Sequence, residues 1–97
     1  MQCVYRPKAL RKIWTFYRNV AKKYRHVYDF ADMQKDISKA VLNGYYIEQS
    51  LLRRQPTIGR WQQEGWHMAK AGKWHYAYSI NGDTVVIEDA CHEQNMK

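Results

Sequence analysis

GKWHYAYSINGDTVVIEDACHEQ, residues 72–94, sets aromatic and β-branched residues on both sides of a central Asn-Gly pair, with His75, Glu88 and His92 among them. That pattern reads as a β-hairpin. Asn81-Gly82 suits a type I′ turn, which needs φ > 0 at both central positions. With a two-residue turn there, Ile80 is expected opposite Asp83, Tyr78 opposite Val85, Tyr76 opposite Ile87, Ala77 opposite Val86 and His75 opposite Glu88. Successive side chains point to opposite faces. Trp74, Tyr76, Tyr78, Ile80, Val85 and Ile87 therefore share one apolar face, which helices should cover. His75, Ala77, Ser79, Thr84, Val86 and Glu88 share the other. If the strand stays regular, Ala90 and His92 join His75 and Glu88.

Working backwards, Ala71-Gly72 reads as a second tight turn, between a strand at 66–70 and one at 73–80. The same count pairs Lys70 with Lys73 and Met68 with His75, which puts Lys70 on the polar face. Before that, RRQPTIGR (53–60) is a loop punctuated by Pro56 and Gly59, with Arg53, Arg54 and Arg60 adding positive charge. Met33, Ile37, Ala40, Val41, Ile47 and Leu51 keep helical phase through Asn43-Gly44 and predict a single helix, or two collinear pieces, from about 32 to 53, capped by Asp29 or Asp32. Leu10, Ile13, Tyr17, Val20, Tyr24 and Val27 form one stripe of an earlier helix. Residues 2–6, QCVYR, are a short β-prone run that Pro7 ends.

The element order is β-α-α-β-β-β. It predicts an α+β fold: a small, mostly antiparallel sheet with two helices packed on one face. Ninety-seven residues suffice for one domain spanning 1–97. The 45% hydrophobic and 14% aromatic content suits a folded chain. No apolar run approaches the ~20 residues of a membrane-crossing helix, and MQCVYRPKAL has no signal-peptide apolar stretch, so a cytoplasmic protein is expected. Cys3 and Cys91 are too few for a disulfide framework and fit no zinc spacing; the histidines lack an HExxH-type pattern. Neither a metal nor a cofactor is expected.

Net charge is +7. Between Pro7 and Tyr28 stand Lys8, Arg11, Lys12, Arg18, Lys22, Lys23 and Arg25, with no acid among them. The last sixteen residues hold Asp83, Glu88, Asp89 and Glu93 against Lys97. Such a basic face suits a polyanion or an acidic protein partner; it is also what a solvated helix surface looks like.

The polar sheet face gathers Lys70, His75, Glu88 and His92. Attack by an RNA 2′-hydroxyl needs a base, an acid for the 5′-oxygen and a cation for the phosphorane. Histidine fills either proton-transfer role near neutrality, glutamate can act as base or orient a histidine, and lysine can hold the developing charge. Equally, a cross-strand His-Glu pair is an ordinary stabilising contact on a wet sheet face.

At these residues the chain resembles the RelE/ParE superfamily of toxins from bacterial type II toxin-antitoxin systems. The likeness runs through the strand leading into YRPKAL, the basic helix hairpin ending in LLRRQP, and KAGKWHYAYSINGDTVVIEDACHEQ, whose end is similar to the YoeB and HigB branches. The resemblance implies a ribosome-dependent mRNA endoribonuclease, bound in a hetero-oligomer by a cognate antitoxin. By position, Lys70 matches a phosphate-contacting base, His75 the place of a catalytic arginine, and His92 a C-terminal histidine or arginine. Glu88, with His75 and His92, completes the expected catalytic set. Lys73, Arg53, Arg54 and Arg60 join Lys70 in holding RNA phosphates. Glu64 or Glu48 corresponds to the glutamate base of the YoeB branch. Histidine at 75 lacks arginine's permanent charge and bidentate grip, and Gln94, Asn95 and Met96 stand where the family has a terminal tyrosine. The alternatives are a ParE-like inhibitor that binds DNA gyrase without catalysis, and a nontoxic nucleic-acid-binding relative.

Overall fold

The computed structural model describes residues 2–45 and 59–95. In chain order these form β1 (Gln2–Tyr5), α1 (Pro7–Lys23), α2 (Phe30–Tyr45), α3 (Gly59–Gln63), β2 (His67–Ala71), β3 (Trp74–Asn81) and β4 (Thr84–His92), followed by a 3-10 turn at Glu93–Asn95. The fold is α+β. Its four strands lie in the order β1-β4-β3-β2. β2, β3 and β4 pair antiparallel, and β1 lies parallel to β4, so the sheet is mixed. A parallel pair needs a long crossover, which the helices supply.

Local chemistry sets the helix ends. Arg6 is extended at the N-cap and Pro7 takes the first helical position of α1, where its missing N–H is not needed. Lys22 and Lys23 sit in the last turn, favourably placed for the helix dipole. At α2, Asp29 and Asp32 act together. Asp32 N–H donates to Asp29 Oδ1 at 2.9 Å, and Asp29 N–H donates to Asp32 Oδ2 at 3.2 Å. This is a reciprocal capping box built from two aspartates. The described part of α2 ends at Tyr45, and Ile47, Leu51, Glu48 and the loop around Pro56 lie outside the described residues.

The main core lies between the sheet and the α1–α2 pair. Ala9 and Ile13 of α1, Met33, Ile37 and Ala40 of α2, and Trp74, Tyr76, Tyr78, Val85, Ile87 and Ala90 of the sheet are buried together. Each large side chain removed from water here contributes roughly 1.5–3 kcal/mol. Tyr76 keeps its hydroxyl satisfied by donating to Ala40 O, and Tyr5 donates to Val41 O at 2.7 Å. The buried stripe of α1 differs from the expected one. It runs through Ala9, Ile13, Phe16, Tyr17 and Ala21; the helix stops at Lys23, so Tyr24 and Val27 fall beyond it and are exposed. A second cluster, Trp61, Met68 and Ala77, packs on the opposite sheet face. α3 therefore covers part of the face that was expected to be bare.

Both hairpins turn one residue later than expected. Asn81 pairs with Thr84 and Ala71 with Trp74, leaving Gly82-Asp83 and Gly72-Lys73 as the turns. Gly82 and Gly72 each have φ near +62°, and among the described residues none other than glycine has positive φ. That excludes type I′ and matches type II′, with glycine at the first central position. The pairings shift accordingly: Tyr78 faces Ile87, and His75 faces Lys70 on one side and Cys91 on the other. A shift of two keeps each side chain on its face.

One irregularity does not. Tyr78 pairs with Ile87, but Ala77 pairs with Asp89. Glu88 is the extra residue of a β-bulge, and it reverses the alternation of β4 from that point. Asp89 and Cys91 turn to the face of Ala77 and His75. Ala90 and His92 turn to the face of Tyr76 and Trp74, beneath the helices.

Candidate functional site

The bulge divides the residues expected to act together. His75 and Lys70 are cross-strand neighbours on the face away from α1 and α2. Lys70 Nζ lies 3.4 Å from Glu93 Oε2. His75 is half-buried, and its Nδ1 is buried with no hydrogen-bond partner among the described residues. A buried imidazole nitrogen without a partner costs about 1–3 kcal/mol, which is unusual for a residue with only a packing role. Burial pushes the His75 pKa down, the Lys70 charge pushes it further, and Glu93 opposes both. The imidazole is thus neutral at pH 7 and able to accept a proton.

His92 is on the other side. It is 5% exposed and lies flat on Phe16, with ring centroids 4.1 Å apart and 13° between planes. Trp74 meets it edge-on at 5.4 Å. The backbone N–H of Gln94 donates to His92 Nδ1 at 3.2 Å, so Nδ1 carries a lone pair and the proton of the neutral ring sits on Nε2. Burial lowers the His92 pKa, Lys73 and His75 add to that, and Glu93 opposes it. Nε2 makes no hydrogen bond among the described residues. His92 lines two open grooves, one of about 760 Å³ toward α2 and one of about 550 Å³ along α1. Lys73 follows Gly72 in the β2–β3 turn and borders the larger groove. It is therefore not grouped with Lys70.

Glu88 is held in place. Its Oε1 accepts from Arg6 Nε at 2.9 Å and its Oε2 from Ser79 Oγ at 2.8 Å. These contacts tie the bulge to the β1–α1 junction and to β3. Its expected pairing with His75 is not made, because Cys91 takes that position in the register. Arg53 and Arg54 lie outside the described residues, as does the side chain of Arg60. Glu64 is exposed after α3. Cys3 pairs in register with Val85 on the helix side, whereas Cys91 lies six residues further along β4 on the opposite face.

Asp89 was not anticipated as a site residue. It is wholly buried. Lys12 Nζ approaches Asp89 Oδ1 to 2.8 Å, Trp61 Nε1 donates to Oδ2 at 2.9 Å, and Lys8 Nζ lies 3.9 Å away. Burial alone would raise its pKa. Hydrogen bonds from Lys12 and Trp61, with the Lys12 charge, outweigh that and hold it below the usual carboxylate range. Asp89 thus anchors α3 and α1 to β4. An acid inside the apolar run VVIEDAC was the available signal, since buried carboxylates occur almost only when paired.

Among the described residues no cluster of His, Cys, Asp and Glu is arranged to hold a metal, and no helix is long and apolar enough to cross a membrane. No protein-family model, curated protein or solved structure matches the chain.

Proposed function

We propose that the chain is a toxin of the RelE/ParE kind, acting as a ribosome-dependent mRNA endoribonuclease in the cytoplasm and held by an antitoxin. The observation that carries this reading is His75: a neutral imidazole whose Nδ1 has no hydrogen-bond partner among the described residues, beside the Lys70 cation on a sheet face away from the main helices. The order β-α-α-α-β-β-β, which adds one short helix to the expected β-α-α-β-β-β, and the resemblance of KAGKWHYAYSINGDTVVIEDACHEQ support the same class.

In this reading His75 accepts the 2′-hydroxyl proton as that oxygen attacks phosphorus. Lys70 balances the phosphorane charge. The departing 5′-oxygen takes a proton from water, since His92 stands across the sheet and Glu88 is committed to Arg6 and Ser79. The acid-free face of α1, from Lys8 to Lys23, suits the rRNA and mRNA backbone, and in the inhibited complex an acidic antitoxin segment.

Inducible expression with mapping of mRNA 5′ ends tests it. New 5′ ends and growth arrest are expected, and both should disappear in His75→Ala. A His75→Ala protein that still cleaves mRNA at the original rate rules out this site.

The separation of the two histidines favours a second reading, a ParE-like inhibitor that binds DNA gyrase without acid-base chemistry. It predicts SOS induction with no new mRNA 5′ ends, unchanged in His75→Ala.

A further inference from the structure

The larger groove lies on the opposite side of the sheet from His75 and plays no part in the proposed cleavage. Its volume of about 760 Å³ is far more than one phosphate needs and falls within the range of small-molecule sites. Its walls come from α1, α2, the β2–β3 turn and the C-terminal turn. The chemistry of those walls is mixed in a specific way.

One end is cationic. A Cβ placed on Gly72 would lie 3.3 Å from Asn43 Nδ2, so the β2–β3 turn sits close against α2 there. Lys73 follows Gly72, and Lys39 precedes Asn43 by one helical turn on the same face of α2. Both lysines are exposed and neither forms a salt bridge among the described residues. The smaller groove differs, because its Lys8 and Lys12 are already paired with Asp89.

The rest of the lining is aromatic and polar. Tyr17 and Trp74 form the wall, joined by a Trp74 Nε1–H donation to Tyr17 Oη at 3.0 Å. The Asn43 carboxamide makes no hydrogen bond among the described residues. Among the described residues Asp36 accepts only from Tyr28 Oη, through Oδ2, which leaves Oδ1 as an acceptor there. His92, 95% removed from solvent, contributes the Nε2 donor described above.

We propose that this groove binds a nucleoside phosphate, with the phosphate held by Lys39 and Lys73 and the base set against the half-buried Tyr17 ring, which Trp74 backs from the core. Two cations alone would suit any anion. An aromatic wall suits a flat ring, which stacks on it whatever its identity. Asn43 and Asp36 add hydrogen-bonding groups for the base edge, and Asp36 favours bases that carry an exocyclic amine. The same chemistry is offered by a free nucleotide and by one residue of single-stranded RNA. Binding here does not depend on whether the chain cleaves RNA.

The test is an NMR titration of the full chain, reading the His92 ring and Trp74 indole signals. AMP, CMP, UMP, inorganic phosphate and a single-stranded tetranucleotide RNA are added separately. The expected result is saturable movement of both signals with AMP or CMP, weaker binding of UMP, and weakening by about tenfold in Lys39→Ala/Lys73→Ala. Both lysines are exposed, so this variant keeps the fold. Tighter binding of the tetranucleotide than of AMP identifies RNA as the source; the reverse identifies the free nucleotide. The site is overturned if neither AMP, CMP nor RNA moves His92, if phosphate binds as tightly as AMP, or if the double variant binds like the parent.

Discussion

The His92 imidazole lies parallel to the Phe16 ring at a centroid distance of 4.1 Å, and this stack joins the end of β4 to the middle of α1. It also keeps water from one face of a titratable ring. Phe16→Ala removes it. The expected result is a loss of about 1.5–3 kcal/mol, roughly half the cost of deleting a fully buried phenylalanine, and a His92 pKa that returns toward its ordinary value. Urea unfolding and the pH dependence of the His92 ring signals measure the two effects.

Acid should destabilise the protein in two windows. His92 and His75 have pKa values lowered in the fold from the ordinary 6.5, so protons bind the unfolded chain more readily. Their contribution is complete above pH 6.5 and is lost as pH falls through the lower folded values. Asp89 is lowered from 3.8, so its contribution is complete above that pH and disappears further into acid. Thermal melts from pH 8 to pH 3 should show a first decline beginning near pH 6.5. In His92→Gln/His75→Gln that first decline should be absent.

Asp89→Asn keeps the shape of the side chain and removes its charge. Lys12, only one third exposed along its side chain, then loses its partner at 2.8 Å. Breaking a buried pair from one side costs on the order of 3–5 kcal/mol; the partial exposure of Lys12 brings the expectation to about 2–3 kcal/mol. The Trp61 fluorescence maximum should move to the red as α3 loosens. An Asp89→Asn protein with unchanged stability and unchanged Trp61 emission would contradict the anchoring role.

Gly44 has a steric reason to lack a side chain. A Cβ there would meet Tyr5 Oη at 1.7 Å and Tyr5 Cζ at 2.7 Å. Gly44→Ala should therefore destabilise by more than ~2 kcal/mol despite alanine's better helix propensity. Combining it with Tyr5→Leu removes the clashing atoms. The double variant should lose less than the sum of the single losses, with a coupling of at least about 1 kcal/mol in a denaturation cycle.

Glu88→Gln separates a bulge residue from a catalytic one. Arg6 is 61% exposed in the Arg6–Glu88 pair, so the lost charge should cost under about 1 kcal/mol. mRNA cleavage, followed by 5′-end mapping, should stay near the parent level. A hundredfold fall in cleavage without loss of stability would return Glu88 to the catalytic set.

The aromatic and β-branched residues of GKWHYAYSINGDTVVIEDACHEQ, counted outward from Asn81-Gly82, by themselves determined the strands, the hairpin and the apolar face of Trp74, Tyr76, Tyr78, Val85 and Ile87. A period of two survives any register shift of two, which is why those residues were right although both turns lay one residue later. Asn81-Gly82 did not distinguish type I′ from type II′, because one glycine serves either turn. The polar face was legible only as far as Glu88. Beyond it, Asp89, Ala90, Cys91 and His92 carry no apolar-polar contrast that would reveal an extra residue. The bulge comes from pairing with β3 and from the Arg6 and Ser79 contacts of Glu88, partners 82 and 9 positions away. Tertiary structure alone therefore decided that His92 turns under the helices onto Phe16 while His75 remains with Lys70. One inserted residue reverses every side chain after it, and no local propensity records where it falls.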